Sequence, residues 1–182
     1  MDEKDPVFGC PAGDSGDFKN IVNGYGALAM AMAMNVLGNR DDAEDACQEA
    51  FLQVYRNLGN FDRSRNFKTW FYTILYHRCL DYLRRRRRSL ELVKKAGREA
   101  VRLQPAAANP DPPARGLPSD LLELLNARER TALCLWANDG YTAEEISEVL
   151  RCSAGTARVY LFQARKKIKK LLEQRHVSLQ NG

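Results

Sequence analysis

The sequence predicts an all-α protein of two small helical domains joined by a flexible proline-rich linker. Three observations carry that prediction. Apolar residues recur at helical spacing, and no segment shows the alternation of a strand over a convincing length. Helix-start signals recur ahead of apolar runs. Five prolines fall between Gln104 and Ser119, a density that precludes a continuous helix and favours extended backbone.

Residues 1–16 are rich in Gly, Pro and Asp and are expected to be a flexible N-terminus. From Asp17 to about Arg88 the chain reads as helical. Gly26–Leu37 (GALAMAMAMNVL) is apolar almost all round and predicts a core helix. Gly38-Asn39 ends it, since both residues tolerate a left-handed cap. The next helix is expected to begin at Asp41, with Glu44 in the reciprocal capping position. Its apolar face is Ala43, Ala46, Cys47, Ala50, Val54 and Leu58; Asp41, Asp42, Asp45, Gln48, Glu49 and Leu52 lie opposite. After Gly59-Asn60, Phe61–Asn66 reads as a polar loop. A long helix then runs from Phe67 into the arginines. On that helix Phe67, Phe71, Ile74, Leu75, Cys79 and Tyr82 form a core face, with Thr69, Tyr72, Thr73 and Tyr76 on the other and Trp70 to one side.

The domain boundary falls in the linker, so the expected division is 17–88, linker 89–119, second domain 120–176 and a flexible tail 177–182. The second domain begins with short helices over Asp120–Asn126 and Ala127–Asn138. A turn at Asp139-Gly140 precedes a capping box of Thr142 and Glu145, which opens a helix through Leu150. Ser153 caps a last helix to about Arg175, with an apolar stripe of Ala157, Leu161, Ala164, Ile168 and Leu171.

The chain of 182 residues is 45% apolar, enough for packed cores, and its net charge of +5 is mild. Local clustering says more. Asp41–Asn57 holds five acidic residues and one basic; Arg151–Arg175 holds eight basic and one acidic; Arg84–Arg88 is all arginine. Nucleic acid is repelled by the first and attracted by the other two, which suggests an adaptor that holds DNA with some surfaces and a protein with another. Thr142–Leu150, a short turn and the helix from Ser153 have helix-turn-helix form. The second helix of that motif enters the major groove. There Gly155, Arg158, Val159, Phe162, Gln163 and Lys166 point outward; Arg and Gln pair with guanine and adenine, and apolar groups touch the thymine methyl. Aromatic residues beside the arginine run suit unpaired nucleic acid, with bases stacked on rings. Leu52 among the acids would anchor a basic protein partner.

No catalytic residue, cofactor or metal site is expected. A Gly-rich phosphate loop is lacking, and Asp41, Asp42 and Asp45 lie on a mixed surface without a histidine. The five cysteines show no CxxC spacing and read as reduced, small hydrophobes. With no apolar run of membrane-spanning length and no signal-peptide core, a cytoplasmic protein without membrane insertion is expected. A stand-alone helix-turn-helix regulator would account for the C-terminal half only, leaving the acidic helix and the aromatic–arginine stretch idle.

Together these segments resemble a bacterial RNA polymerase sigma factor of the extracytoplasmic-function group of the sigma-70 family. The likeness spans Asp17–Arg88 and Leu117–Glu173. DDAEDACQEAFLQVYRNLGNFD at Asp41–Asp62 and FKTWFYTILYHRCLDYLRRRRR at Phe67–Arg88 are highly specific in tandem; the helix-turn-helix stretch Ala127–Leu172 is less so. The resemblance implies a σ2-like bundle and a σ4-like domain with no σ3 domain between them. It implies a factor that binds core polymerase, directs it to promoters and assists their opening. Asp41, Asp45, Gln48, Glu49 and Leu52 would dock on the clamp helices of the polymerase β′ subunit. Asp62, Arg63, Ser64, Arg65 and Asn66, with Lys68, Trp70, Tyr72, Tyr76, Arg84, Arg85 and Arg86, would capture and hold the melted minus-ten strand. Thr142, Ser153, Gly155, Thr156, Arg158, Val159, Phe162, Gln163 and Lys166 would read the minus-thirty-five duplex, and the same domain would meet the β flap. An anti-sigma factor is a further partner the resemblance implies. The chain departs from the family pattern where Leu125-Asn126 replaces Leu-Pro, and where Val159-Tyr160 replaces small or basic residues, so base preference does not transfer.

Overall fold

The computed structural model describes residues 15–95 and 123–180. The described residues are helical throughout their regular elements, with no strand among them. The first domain comprises α1 (Ser15–Leu37), α2 (Arg40–Asn57) and α3 (Phe67–Lys95), with a 3₁₀ turn at Leu58–Asn60. The second comprises α4 (Ala127–Asp139), α5 (Ala143–Leu150) and α6 (Ala154–Gln180). The expected flexible N-terminus, short of its last two residues, and the prolines of the expected linker lie outside the described residues, as do the first three residues of the expected helix Asp120–Asn126; of the rest, Glu123 and Leu124 are helical and Asn126 is the cap of the next helix.

Helix α1 buries Ile21, Tyr25, Ala29, Met32, Ala33 and Val36, and its many alanines let neighbouring backbones come close. Gly38 ends it at φ 67°, where a side chain would be strained, and donates its N–H to Met34 O at 2.8 Å. Two expectations at this junction need correcting. Asn39 is extended (φ −139°), not left-handed, and its side chain accepts the Asp42 N–H at 3.2 Å, so Asn39 is the N-cap and α2 begins at Arg40. Glu44 therefore lies beyond the capping position and pairs with Arg40 at 2.7 Å. An amide with its own acceptor, placed one residue before the helix, outcompetes the carboxylate.

The buried face of α2 is Ala43, Ala46, Cys47, Ala50 and Val54, as the pattern predicts. These small residues let α2 press onto α3. There Phe71 lies 5.1 Å from Phe51 and 5.6 Å from Tyr25 between ring centroids. Phe61 is not part of a polar loop: its ring stacks 4.6 Å from Trp70 and meets Phe67 edge-on at 5.4 Å, pinning the loop to α3. Helix α3 continues through the arginines to Lys95, so position 89, where the linker was expected to start, lies inside a helix. The last helix likewise runs to Gln180, past the expected end near Arg175.

In the second domain Asn126 caps α4 by accepting the Arg128 and Glu129 N–H groups, while Glu129 accepts the Asn126 N–H at 3.0 Å. Such a cap stabilises by about 1 kcal/mol. Glu129, only 4% exposed, also takes Lys167 Nζ at 2.7 Å and so fastens α4 to α6. Removing Lys167 would leave the buried Glu129 charge without its cation, whereas Lys167, partly exposed, could turn to solvent without Glu129. The Thr142–Glu145 capping box forms at the start of α5, and Ala157, Leu161 and Ala164 of the α6 stripe are buried.

The domains do not stand apart. Helix α4 packs on α1 and α5 packs on α3, and one apolar cluster runs without a break from Ile21 in the first domain to Leu161 in the second.

Candidate nucleic-acid and polymerase interfaces

The acidic helix presents its charges as its periodicity demands. Asp41, Asp45 and Gln48 are exposed, and Leu52 stands 52% exposed among them. Burial of the alanine face fixes this outward set, because the two faces of one helix cannot both be hidden by α1 and α3. Glu49 differs from its neighbours. It accepts the Tyr82 hydroxyl at 3.0 Å and lies 3.9 Å from both Arg78 and Arg85. Its charge is thus shared with α3. Tyr82, expected in the core face, is only partly buried; burial and then the Glu49 carboxylate push its hydroxyl up to about 12. Beside Glu49 an open groove of about 410 Å³ is lined by Leu52, Gln53, Arg56, Asn57 and Arg78.

The loop before α3 is built by the side chains expected to meet DNA. Asp62 Oδ1 accepts both the Ser64 hydroxyl (2.7 Å) and the Ser64 N–H (3.0 Å), an Asx turn. Those bonds, the hydroxyl first, and Arg65 hold the Asp62 carboxyl below its ordinary range. Asn66 caps α3 by accepting the Thr69 N–H at 2.9 Å. Arg63 and Arg65 are exposed. Trp70 is half-buried under Phe61.

The far face of α3 departs from expectation. Thr69, Tyr72 and Tyr76, on the face opposite the expected core face, are only 5%, 2% and 0% exposed. The second domain covers them. Thr69 Oγ1 donates to Tyr141 Oη at 3.3 Å, Tyr72 Oη donates to Asp139 Oδ1 at 3.4 Å, and Lys68 Nζ reaches the same Asp139 oxygen at 2.6 Å. Lys68 also lies 5.6 Å from the Tyr72 ring centre and 5.7 Å from that of Tyr141. Burial, with Asp139 next, pushes the Tyr72 hydroxyl far up; burial raises Tyr76 to about 12. The Tyr76 hydroxyl is buried near Arg128 and makes no well-formed hydrogen bond among the described residues. Helical periodicity assigns residues to faces but cannot say that a second domain lies on one of them.

The helix-turn-helix is as the sequence predicts. Arg151 closes α5 in the left-handed region (φ 49°), and the N–H groups of Arg151 and Cys152 return to Glu148 O and Ser147 O. Ser153 Oγ accepts the Thr156 N–H at 3.1 Å and starts α6. Thr142 and Ser153 are thus caps by geometry. Gly155, Arg158, Val159, Phe162, Gln163 and Lys166 are all exposed, Val159 at 53% and Phe162 at 63%. Arg158 pairs with Glu144 across the motif; both are largely exposed, so the pair contributes little and Arg158 can be drawn to another partner. One feature escaped the sequence: Arg165 lies 4.0 Å over the exposed ring of Trp136, a cation–π contact between α4 and α6. No periodicity joins residues that far apart.

Cys47, Cys79, Cys134 and Cys152 are free thiols, and burial raises the first three. Among the described residues no group of three His, Cys, Asp or Glu is placed to hold a metal, and no helix is long and apolar enough to cross a membrane.

An acidic, leucine-bearing helix face and an exposed basic helix-turn-helix in one chain define a DNA-binding protein that also docks on another protein. Family comparison resolves the class. Sigma-70 region 2 matches residues 21–89 and Sigma-70 region 4 matches residues 119–168. The ECF RNA polymerase sigma factor SigW of Bacillus subtilis is 31% identical over 175 residues, covering 88% of this chain and 91% of SigW. The RNA polymerase sigma-H factor of Pseudomonas aeruginosa is 31% identical over 171 residues, covering 88% and 89%. The solved structure of the sigma factor RpoE with the anti-sigma factor NepR from Bartonella quintana superposes with a TM-score of 0.68 at 25% identity, covering 86% of this chain and 97% of that one. The chain belongs to the extracytoplasmic-function sigma factors of the sigma-70 family. It is a transcription initiation factor that directs RNA polymerase to promoters.

Proposed function

We propose the following division of labour, carried by the acidic face of α2: a row of exposed carboxylates around a bare leucine, on a chain otherwise fitted for DNA, has its natural partner in a basic protein surface. Asp41, Asp45, Gln48 and Leu52, with Glu49 at the edge, dock on the polymerase β′ clamp helices, and the second domain meets the β flap. The loop Asp62–Asn66 and α3, including Lys68, Trp70, Tyr72, Tyr76 and Arg84–Arg86, take the melted minus-ten strand. The exposed face of α6 reads the minus-thirty-five duplex, with Thr142, Ser153 and Thr156 holding its frame. The bundle α1–α3 and the domain α4–α6 act as the two binding units, with the proline-rich segment between them. The polymerase supplies the chemistry, so this chain contributes binding and strand capture alone. It acts in the cytoplasm, where its polymerase is, under an anti-sigma factor of the kind found bound to the Bartonella relative.

The test is a paired charge change at two exposed positions, Asp45→Arg with Gln48→Arg, in the full chain. Binding to core polymerase is expected to fall by about tenfold or more, and the thermal midpoint to stay close to that of the parent. Unchanged polymerase binding would remove the docking assignment.

A further inference from the structure

Two of the rings that the minus-ten reading needs, Tyr72 and Tyr76, are those the second domain covers. Asp139 is the point where this covering is concentrated. It is the last residue of α4, where the helix dipole disfavours an acid. An acid there is tolerated when a cation lies close, and Lys68 provides one at 2.6 Å, with the Asp139 side chain only 12% exposed. The same carboxylate oxygen accepts the Tyr72 hydroxyl, and two residues on Tyr141 accepts from Thr69. One short segment, Asp139–Tyr141, thus engages a lysine, a threonine and a tyrosine within little more than one turn of α3. A carboxylate that takes a lysine and a hydroxyl offers what a phosphate offers: negative oxygens among cationic and hydroxyl donors. The ring of Tyr141, 6.1 Å from that of Tyr72, lies where a base would stack.

We propose that Asp139 is a latch that closes the chain on itself, standing in for the nucleic-acid backbone on α3, and that it must let go before α3 can hold a melted strand. The covering of α3 follows from the contacts alone; the competition with DNA rests on the assignment of α3 to the minus-ten strand. Seam and DNA contacts are mutually exclusive at Tyr72, because a side chain 2% exposed cannot also stack on a base; Lys68 Nζ, held by Asp139 at 2.6 Å, would have to exchange one anion for another. The seam is not a seamless core. A crevice of about 20 Å³ remains beside Tyr72 and Asp139. Elsewhere in the seam the buried Tyr76 hydroxyl makes no well-formed hydrogen bond among the described residues. An interface that leaves a buried donor unmatched is poorer than a domain interior and is suited to opening.

Hydroxyl-radical footprinting of the full chain tests this, because it reads each ring separately. In the parent, Tyr72 is expected to be protected to the same degree as Phe71, which lies in the first domain's own core. In Asp139→Asn, which keeps the side-chain shape and removes the charge, Tyr72 oxidation should rise roughly tenfold while Phe71 stays protected. Tyr72 unchanged in both Asp139→Asn and Asp139→Lys would overturn the latch. A joint rise of Tyr72 and Phe71 would also overturn it, since Asp139 would then support the fold of the first domain and not its covering. A mixed-sequence single-stranded oligonucleotide added to Asp139→Asn should protect Tyr72 again. If the ring opens but the oligonucleotide leaves it exposed, the latch stands and the minus-ten assignment of α3 falls.

Discussion

The outer face of α6 and the far face of α3 carry related chemistry, aromatic and cationic side chains on a long helix, and meet opposite conditions. Phe162 and Val159 stand in solvent beside Arg158 and Gln163; Tyr72 and Tyr76 lie under a second domain with Lys68 neutralised by Asp139. Helix α6 can reach a duplex as the molecule stands. The covered rings of α3 are out of reach of any ligand while the domains stay together. Val159 and Phe162 are each partly covered and make a small apolar patch, whereas the α3 rings would present a broad aromatic one if left bare. Closure removes that patch from water.

Truncating one ring on each face separates them most sharply. Tyr72→Ala should cost about 3–5 kcal/mol of stability in urea unfolding, and Phe162→Ala should stay within about 0.5 kcal/mol. Equal values would mean that α3 is not covered in solution. Next in size is specificity. Gln163→Ala should change preference at a single upstream base pair by about 1–3 kcal/mol, read by selection from a randomised promoter pool, while substitutions in Arg84–Arg86 should weaken all sequences alike. A base-specific effect from the arginines would merge the two roles. Tyr76→Phe removes a buried hydroxyl that makes no well-formed hydrogen bond, so stability should hold or rise by up to about 1 kcal/mol. A clear loss would show that the hydroxyl is satisfied.

The smallest effect concerns pH. Burial and Arg151 across the seam depress His77, against the opposing Thr73 carbonyl, which accepts from Nδ1 at 2.7 Å, and the Asp81 carboxylate; Arg84 adds to the depression. A group depressed in the fold prefers its neutral form there. Its contribution is therefore complete above about 6.5, its unfolded value, and is lost as pH falls below. The thermal midpoint of the parent should drop more between pH 7.5 and 5.5 than that of His77→Gln. Parallel curves would exclude His77 as a source.

Much of this was legible in the chain. The alanine face of α2 and the stripe of α6 follow from period alone, and the Thr142–Glu145 box from two residues at the right spacing. What escaped was long-range or competitive. Asn39 and Asp41 are both good caps, and only backbone geometry decides between them. Phe61 looks like part of a polar loop until two rings close on it. Tyr72 is aromatic on either account, as core or as stacking platform, and the choice depends on Tyr141, outside any local window. Of the site residues, those on α6 appear as the pattern predicts, while Asp62, Asn66, Thr142 and Ser153 are occupied in shaping their own backbone.

The continuity of α3 through its arginines changes what five charges in a row amount to. A helix turns by about 100° per residue, so five consecutive positions sweep more than a full circle. Arg84 leans to Asp81, Arg85 lies toward Glu49, and Arg87 returns to Glu91. The run is a collar around a rod and not a stripe along it. A straight polyanion passing on one side would engage about two of the five guanidinium groups, and only one that winds about the rod would gather the rest.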